Sequence, residues 1–145
     1  MTQDFLLLAG SIIHLSQLIE HNLRVIIMLD IRLDQKGRRL DKDEDTAEDV
    51  FEAIQKYALG DLIDVAKNFS VLSQEDIKYL KTVTPKRNKV AHSFFKDAYL
   101  YGRFDKPSEV QKMKRELQEI EAEFERTHQT NLKIIADLER RGARK

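Results

Sequence analysis

Leu8, Ile12, Leu15, Ile19, Leu23 and Ile26 recur at steps of three and four residues. That period lines one face of an α-helix and predicts a helix from about Thr2 to Ile31. Val25, Ile27, Met28 and Leu29 widen the apolar face toward its end. Such breadth predicts burial on two sides, by neighbouring helices or by a partner subunit.

The following stretch, DIRLDQKGRRLDKDED, loses the period and gathers charge around Gly37, which reads as a solvated loop near residues 32–45. TAED then offers a capping box, with Thr46 as cap and Asp49 standing in for Glu. Val50, Phe51, Ile54, Tyr57 and Ala58 supply the apolar side of the helix it opens. In YALGDLIDVAKNF, Gly60 is expected to separate or bend two helical pieces, with Leu62, Ile63, Val65, Ala66 and Phe69 packing after it. Ser73, with Asp76 three residues on, caps a short helix. Thr84 and Pro85 read as the N-cap and first residue of a fresh one.

Past Pro107 the three-four spacing returns in Val110, Met113, Leu117, Ile120, Phe124, Thr127, Asn131, Ile134 and Leu138. A helix approaching about 30 residues is predicted, and Thr127 and Asn131 favour a bundle helix over a coiled-coil seam. The ending RRGARK, near residues 140–145, reads as a flexible basic tail. The expectation is an all-α protein, an antiparallel helical bundle with long first and last helices. No internal repeat is visible, and 145 residues suit one domain spanning 1–145.

Composition narrows the function classes. The 25 basic residues balance 25 acidic ones, so no strong non-specific attraction to nucleic acid or anionic membrane is expected, although a local patch can still contact RNA. Cysteine is absent, which removes disulfides, thiolate catalysis and thiolate metal sites together. The opening FLLLAGSIIHLSQLIE lacks a basic leader, and Ser11, His14 and Glu20 interrupt its apolar run. The expected location is cytoplasmic, with no membrane partner.

Candidate chemistry gathers in TPKRNKVAHSFF, residues 84–95. Asn88, His92 and Phe95 step by four and three and share a helical face. Arg87 stands five residues before His92, about 140° round a helix at about 100° per residue. At a helix start, Arg87 would sit where free backbone N–H groups favour an anion. A histidine near neutral pKa can take a proton from a ribose 2′-hydroxyl or return one to the leaving 5′ oxygen. An arginine can hold the non-bridging phosphate oxygens through its planar fork. This chemistry requires no metal or cofactor. The duller account is that the three polar residues satisfy carbonyls while Val90, Ala91, Phe94 and Ala98 pack inward.

RNKVAHSFF after LKTVTPK resembles the motif of HEPN domains: an Arg, four to six residues, then a His, very often with Asn directly after the Arg. Arg87, Asn88 and His92 match those positions. LGDLI and the two long terminal helices extend the likeness loosely over most of the chain. The resemblance implies a helical bundle that dimerises so that two Arg and His pairs face one cleft. It implies a metal-independent endoribonuclease of toxin–antitoxin or anti-phage type, with Arg87 and His92 catalytic and Asn88 orienting the site or contacting RNA. Other members of that family act as binding modules. In the subgroup paired with nucleotidyltransferase antitoxins a Tyr follows the His by two, where this chain has Phe94.

Other candidates carry less. Asp41, Asp43, Asp45, Asp49 and Glu52 follow calcium-loop spacing, but Thr46 replaces the turn glycine and Glu48 the packing hydrophobe, so a charged loop entering a capped helix is the better account. His14 and His21 read as partly buried structural residues and His128 as a surface one, with no metal-ligand spacing among them. Glu20 and Asp30 lie near the broad apolar face, where pairing with Arg87 is conceivable but routine ion pairs are commoner. The reading that follows is a homodimeric, metal-independent endoribonuclease using Arg87, Asn88 and His92, with RNA as substrate and an antitoxin or regulatory protein as partner. The alternative is a non-catalytic helical module binding a protein or RNA, consistent with the balanced charge and the absence of a basic-and-aromatic stripe.

Overall fold

A computed structural model of the chain describes residues 2–38, 47–67 and 71–143. Its elements are α1 (Thr2–Arg38), α2 (Ala47–Ala53), α3 (Leu59–Ala66), α4 (Gln74–Asn88), α5 (Phe94–Leu100) and α6 (Pro107–Ala143). Two 3₁₀ turns, Ile54–Lys56 and Arg103–Asp105, and a π turn, Lys89–Ser93, join them. No strand occurs among the described residues. The chain is an all-α bundle dominated by its first and last helices.

Both long helices exceed their predicted lengths, at 37 residues each. α1 continues through the first part of the predicted loop to Arg38, carrying half-buried Ile31 and Leu33. It gains a surface to pack on because α6 runs equally far: a Cβ on Gly142 would meet Leu33 Cδ2 at 4.0 Å. The basic tail is likewise helical up to Ala143. Arg140 and Arg141 both reach Asp137, at 3.3 and 2.7 Å, and cations suit the negative end of a helix. The Thr46 cap and Phe69 lie outside the described residues.

The pairing of α1 with α6 is parallel, which corrects the antiparallel expectation for the two longest elements. Phe5 packs beside Phe104, just ahead of α6; Asn22 meets His128; and Leu33 lies against Gly142. Contacts therefore advance in the same direction along both helices. The intervening chain makes the return journey. Thr84 and Arg87 of α4 lie beside Ser16 and Glu20, whereas Phe95 of α5 lies beside Phe5. Along α6, Tyr79 neighbours Thr130 while Lys86 pairs with Glu123. The segment α4–α5 thus runs antiparallel to both long helices and delivers the chain to the start of α6.

The predicted stripes form the core. Ile12, Ile19, Leu23 and Ile26 of α1 and Met113 and Leu117 of α6 are completely buried, with Phe124 and Leu138 nearly so. Ile27, from the widened part of the first face, is also fully buried. By length and composition alone Gln3–Leu33 is apolar enough to cross a membrane, despite the polar interruptions noted in the sequence, and the same stretch supplies much of the bundle core. The Ser73 capping box forms as predicted, with Ser73 Oγ accepting from Asp76 N–H and Asp76 Oδ2 accepting from Ser73 N–H, both at 3.0 Å. Gly60 does not make the break assigned to it. The chain turns at Tyr57 and Ala58, both extended, and Gly60 lies inside the first turn of α3, where an added Cβ meets nothing within 4 Å.

An aromatic cluster ties the start of α1 to the return segment. Phe5 stands edge-on to Phe95 and Phe104 at 6.5 and 5.7 Å, and Phe94 meets Phe95 at 5.4 Å. Nearby, Arg103 donates to Glu109 at 3.0 Å and approaches Glu116 at 3.6 Å, fastening the 3₁₀ turn to the first turns of α6. The Arg103 hydrogen bond, helped by Lys112, holds the Glu109 carboxyl below its ordinary value.

Two outcomes follow from this packing. Phe5→Ala is expected to destabilise the chain by about 3–5 kcal/mol, because Phe5 is 2% exposed at the centre of that cluster; chemical denaturation measures it. For Glu109, a lowered folded pKa means the stabilisation is complete above the ordinary Glu value and lost as pH falls through the folded one. The melting-temperature gap between the wild type and Glu109→Gln should therefore be widest at neutral pH and close in acid.

Candidate functional site

Arg87, Asn88 and His92 lie where α4 passes into the π turn, a junction that differs from the predicted one. No helix begins at Thr84: α4 starts at the Ser73 cap and runs unbroken through Pro85 to Asn88. Leu80 and Val83 are 1% exposed and Val90 is 2% exposed, and Lys86 is paired with Glu123 across to α6. Packing on both sides of Pro85 offsets the cost of an internal proline, about 3 kcal/mol. Arg87 consequently lies inside a helical run that passes on through the π turn, and not in a free N-terminal turn. Any attraction for an anion must come from its side chain rather than from free N–H groups.

Pro85 has no N–H to offer the Lys81 carbonyl, and the ladder is disturbed again four residues later. There the Phe94 N–H reaches the Lys89 carbonyl, an i→i+5 bond, and Ser93 Oγ donates to the same oxygen at 3.2 Å. π turns inside α-helices accompany functional sites more often than chance allows. This one has a geometric effect. A turn closed over five residues rotates less per residue than one closed over four, so the wide angle separating Arg87 from His92 on an ideal α-helix is narrowed. Val90 and Phe94, both buried, fix the inward side of the turn, while Ala91 and His92 are exposed.

The three side chains differ in setting. Arg87 is half-buried and lines a small cleft with Ser16 and Glu20 of α1, Leu59 and Gly60 of α3, and Thr84. Its Nη2 donates to Asn88 Oδ1 at 3.3 Å, a long hydrogen bond between neighbours that turns the guanidinium toward the amide. Asn88 and His92 are exposed. A solvent-facing imidazole can exchange protons with a bound substrate, and a guanidinium anchored on one side can still present its fork to phosphate oxygens.

Glu20 shares the Arg87 cleft but is engaged elsewhere. It accepts from Arg24 Nη2 at 3.0 Å, and Arg24 also donates to the carbonyls of Ile54 and Tyr57 at 3.3 and 2.9 Å. Arg24 thereby satisfies the Tyr57 carbonyl, where α3 has yet to begin, and adds a second donor to the Ile54 carbonyl, which already accepts from Tyr57 N–H. Its role escaped the sequence reading because the two carbonyls come from a segment about thirty residues away.

The remaining sequence candidates separate. Phe94, at the position two after His92, is 4% exposed and belongs to the core, whereas Tyr99 and Tyr101 are 81% and 75% exposed on and beyond the end of α5. His14 and His21 are exposed rather than partly buried, because their positions on α1 face away from the bundle. His128 is the opposite case: it is half-buried against α1, its Nδ1 2.7 Å from Asn22 Nδ2. Asp41, Asp43 and Asp45 lie outside the described residues, and Asp49 and Glu52 are exposed on α2. Among the described residues no group of three metal-ligating side chains assembles. Asn131, noted in sequence only as a weak point in the α6 seam, is 2% exposed.

Replacing Arg24 by Met should destabilise the chain by about 2–3 kcal/mol, since two backbone carbonyls and a partly buried carboxylate lose a charged donor together. Urea unfolding of the variant checks this, with helicity of the folded state as control.

Compared with known proteins, the chain matches no family model, no curated protein and no solved structure.

Proposed function

We propose that this protein is a metal-independent endoribonuclease that acts as a homodimer in the cytoplasm, as a HEPN-like toxin or anti-phage effector. What supports the reading is the π turn directly after α4, which narrows the helical angle between Arg87 and His92, with Asn88 and His92 exposed and half-buried Arg87 hydrogen-bonded to Asn88. The motif's resemblance to HEPN domains supports the same assignment.

In this mechanism His92 takes the proton of a ribose 2′-hydroxyl as that oxygen attacks the adjacent phosphorus. The P–O5′ bond breaks, and the departing 5′ oxygen receives a proton from the second protomer's imidazole. Arg87 holds the non-bridging oxygens while negative charge builds on them, and Asn88 orients the guanidinium. The products are a 2′,3′-cyclic phosphate and a 5′-hydroxyl. Paired copies of the site let one imidazole act as base while the other acts as acid, so the chemistry runs without a metal ion.

One observation favours the second reading, a non-catalytic binding module. Leu6, Leu7, Tyr99, Leu100 and Tyr101 are all more than half exposed, an unusual number of large apolar side chains near one end of the bundle. Under that reading the surface receives an antitoxin or regulatory protein.

Cleavage of a mixed RNA pool by pure protein in excess EDTA discriminates the two. The nuclease reading expects His92→Ala and Arg87→Ala each to lower the rate by about 10²–10⁴-fold with helicity unchanged, and a single deoxyribose at the cut site to block it. Equal cleavage of all-DNA analogues overturns the 2′-hydroxyl mechanism. Absence of wild-type cleavage, with a partner still captured by both variants, establishes the binding module.

A further inference from the structure

From Ile77 to Lys96 the chain carries six lysines and arginines and no acidic residue, within a sequence of net charge zero. The run occupies α4, the π turn and the start of α5, the segment that holds Arg87, Asn88 and His92. Lys78, Lys81 and Pro85 follow at steps of three and four, exposed on the side of α4 opposite buried Leu80 and Val83. Exposed Lys89, His92 and Lys96 carry the row on, at similar steps, through the π turn into α5. No run of adjacent residues displays this row, because helical repeat and not adjacency lines its members up.

Nothing in the chain neutralises these cations. Among the described residues no hydrogen bond or ion pair engages Lys78, Lys81, Lys89 or Lys96, whereas Lys86, off the row, is paired with Glu123 of α6. Lys78 and Lys81 line an open cleft with Lys67, Leu72 and Ile77, and no carboxylate among the described residues lines it. The nearest acids are engaged elsewhere: Asp64 holds Lys67 and Asp76 accepts from Ser73 N–H. Like charges set along one edge repel each other and favour a bound polyanion.

The shape of the row selects the polyanion. It is one side chain wide and about 27 Å long from Lys78 to Lys96 at about 1.5 Å per residue. That length matches about eight phosphates at about 3.4 Å along one strand, and its narrowness does not suit a broad anionic surface. Tyr79 and Tyr99, 51% and 81% exposed, stand near its two ends, and such rings stack on bases that are unpaired. Because His92 lies within the row, a strand laid along it carries its phosphodiesters past the imidazole.

We propose that the row of Lys78, Lys81, Lys89 and Lys96 is a track for one RNA strand, holding its backbone on both sides of Arg87 and His92 while Tyr79 and Tyr99 take unpaired bases. The choice of RNA rests on the nuclease reading, and the single-stranded polyanion rests on the row itself.

The test is fluorescence anisotropy of the full chain with a labelled, unstructured 2′-O-methyl RNA of about twelve nucleotides, which lacks the attacking hydroxyl and so reports binding apart from cleavage. Lys78→Gln with Lys81→Gln, and Lys89→Gln with Lys96→Gln, should each weaken binding about tenfold. Each pair should also flatten the slope of log affinity against log salt by about 1.4, from two phosphate contacts at about 0.7 each on a single strand. Arg115→Gln with Lys133→Gln, exposed on α6, removes the same charge away from the row and should change neither quantity. Tyr99→Ala should weaken the strand at least about fivefold. Equal loss in the α6 control, equal affinity for a duplex of the same sequence, or equal affinity for a poly-glutamate peptide of matched charge would each overturn the proposal, the last by assigning the row to an acidic protein. Binding that follows the lysines without cleavage of ordinary RNA supports the track and removes the nuclease reading. Cleavage and binding unaffected by either lysine pair remove the track and leave the nuclease.

Discussion

The parallel packing of α1 on α6 is the constraint on which the rest of the bundle depends. Two helices of 37 residues bury continuous apolar stripes against each other and against the elements between them, and no short loop can connect helices that run in the same direction. The chain must travel the length of the bundle in reverse before α6 can begin. That return is made by α4, the π turn and α5, which are therefore held against α1 and α6 at both ends, by the Lys86–Glu123 pair and by the cluster of Phe5, Phe95 and Phe104.

This confinement accounts for the irregular backbone at Arg87. An isolated helix containing Pro85 would end or kink there, yet the buried residues flanking it hold the direction of travel. Across the π turn Val90 and Phe94, four residues apart, are buried while His92 faces solvent. Local departure from ideal geometry and global packing are two sides of one arrangement, which leaves Asn88 and His92 exposed and Arg87 half-buried against α1 and α3.

Polar residues inside the bundle follow a different logic. Asn22 finds His128, and Arg24 finds the carbonyls of Ile54 and Tyr57, so each is satisfied by a segment remote in sequence. Asn131 is not satisfied in this way. The contrast separates internal polar groups that pair across the fold from one buried donor, Asn131 Nδ2, that has no partner among the described residues.

Read from the residues alone, periodicity determined that the chain is helical, placed the two long helices, and named most of the core. Ile12, Ile19, Leu23, Met113, Leu117 and Phe124 are buried because a three-four repeat has only one face to hide. The Ser73 cap was equally legible, since its partner Asp76 lies three residues away. Local sequence also drew Arg87, Asn88 and His92 together as one motif. Direction was not legible: identical stripes serve parallel and antiparallel pairs, and only the tertiary course of the return segment decided between them. Nor was the fate of Pro85, whose local preference for a helix start was overruled by packing on either side. The pairing of Arg24, the burial of His128 and the solitary amide of Asn131 depend on neighbours many residues away, and tertiary structure alone brings those neighbours into reach.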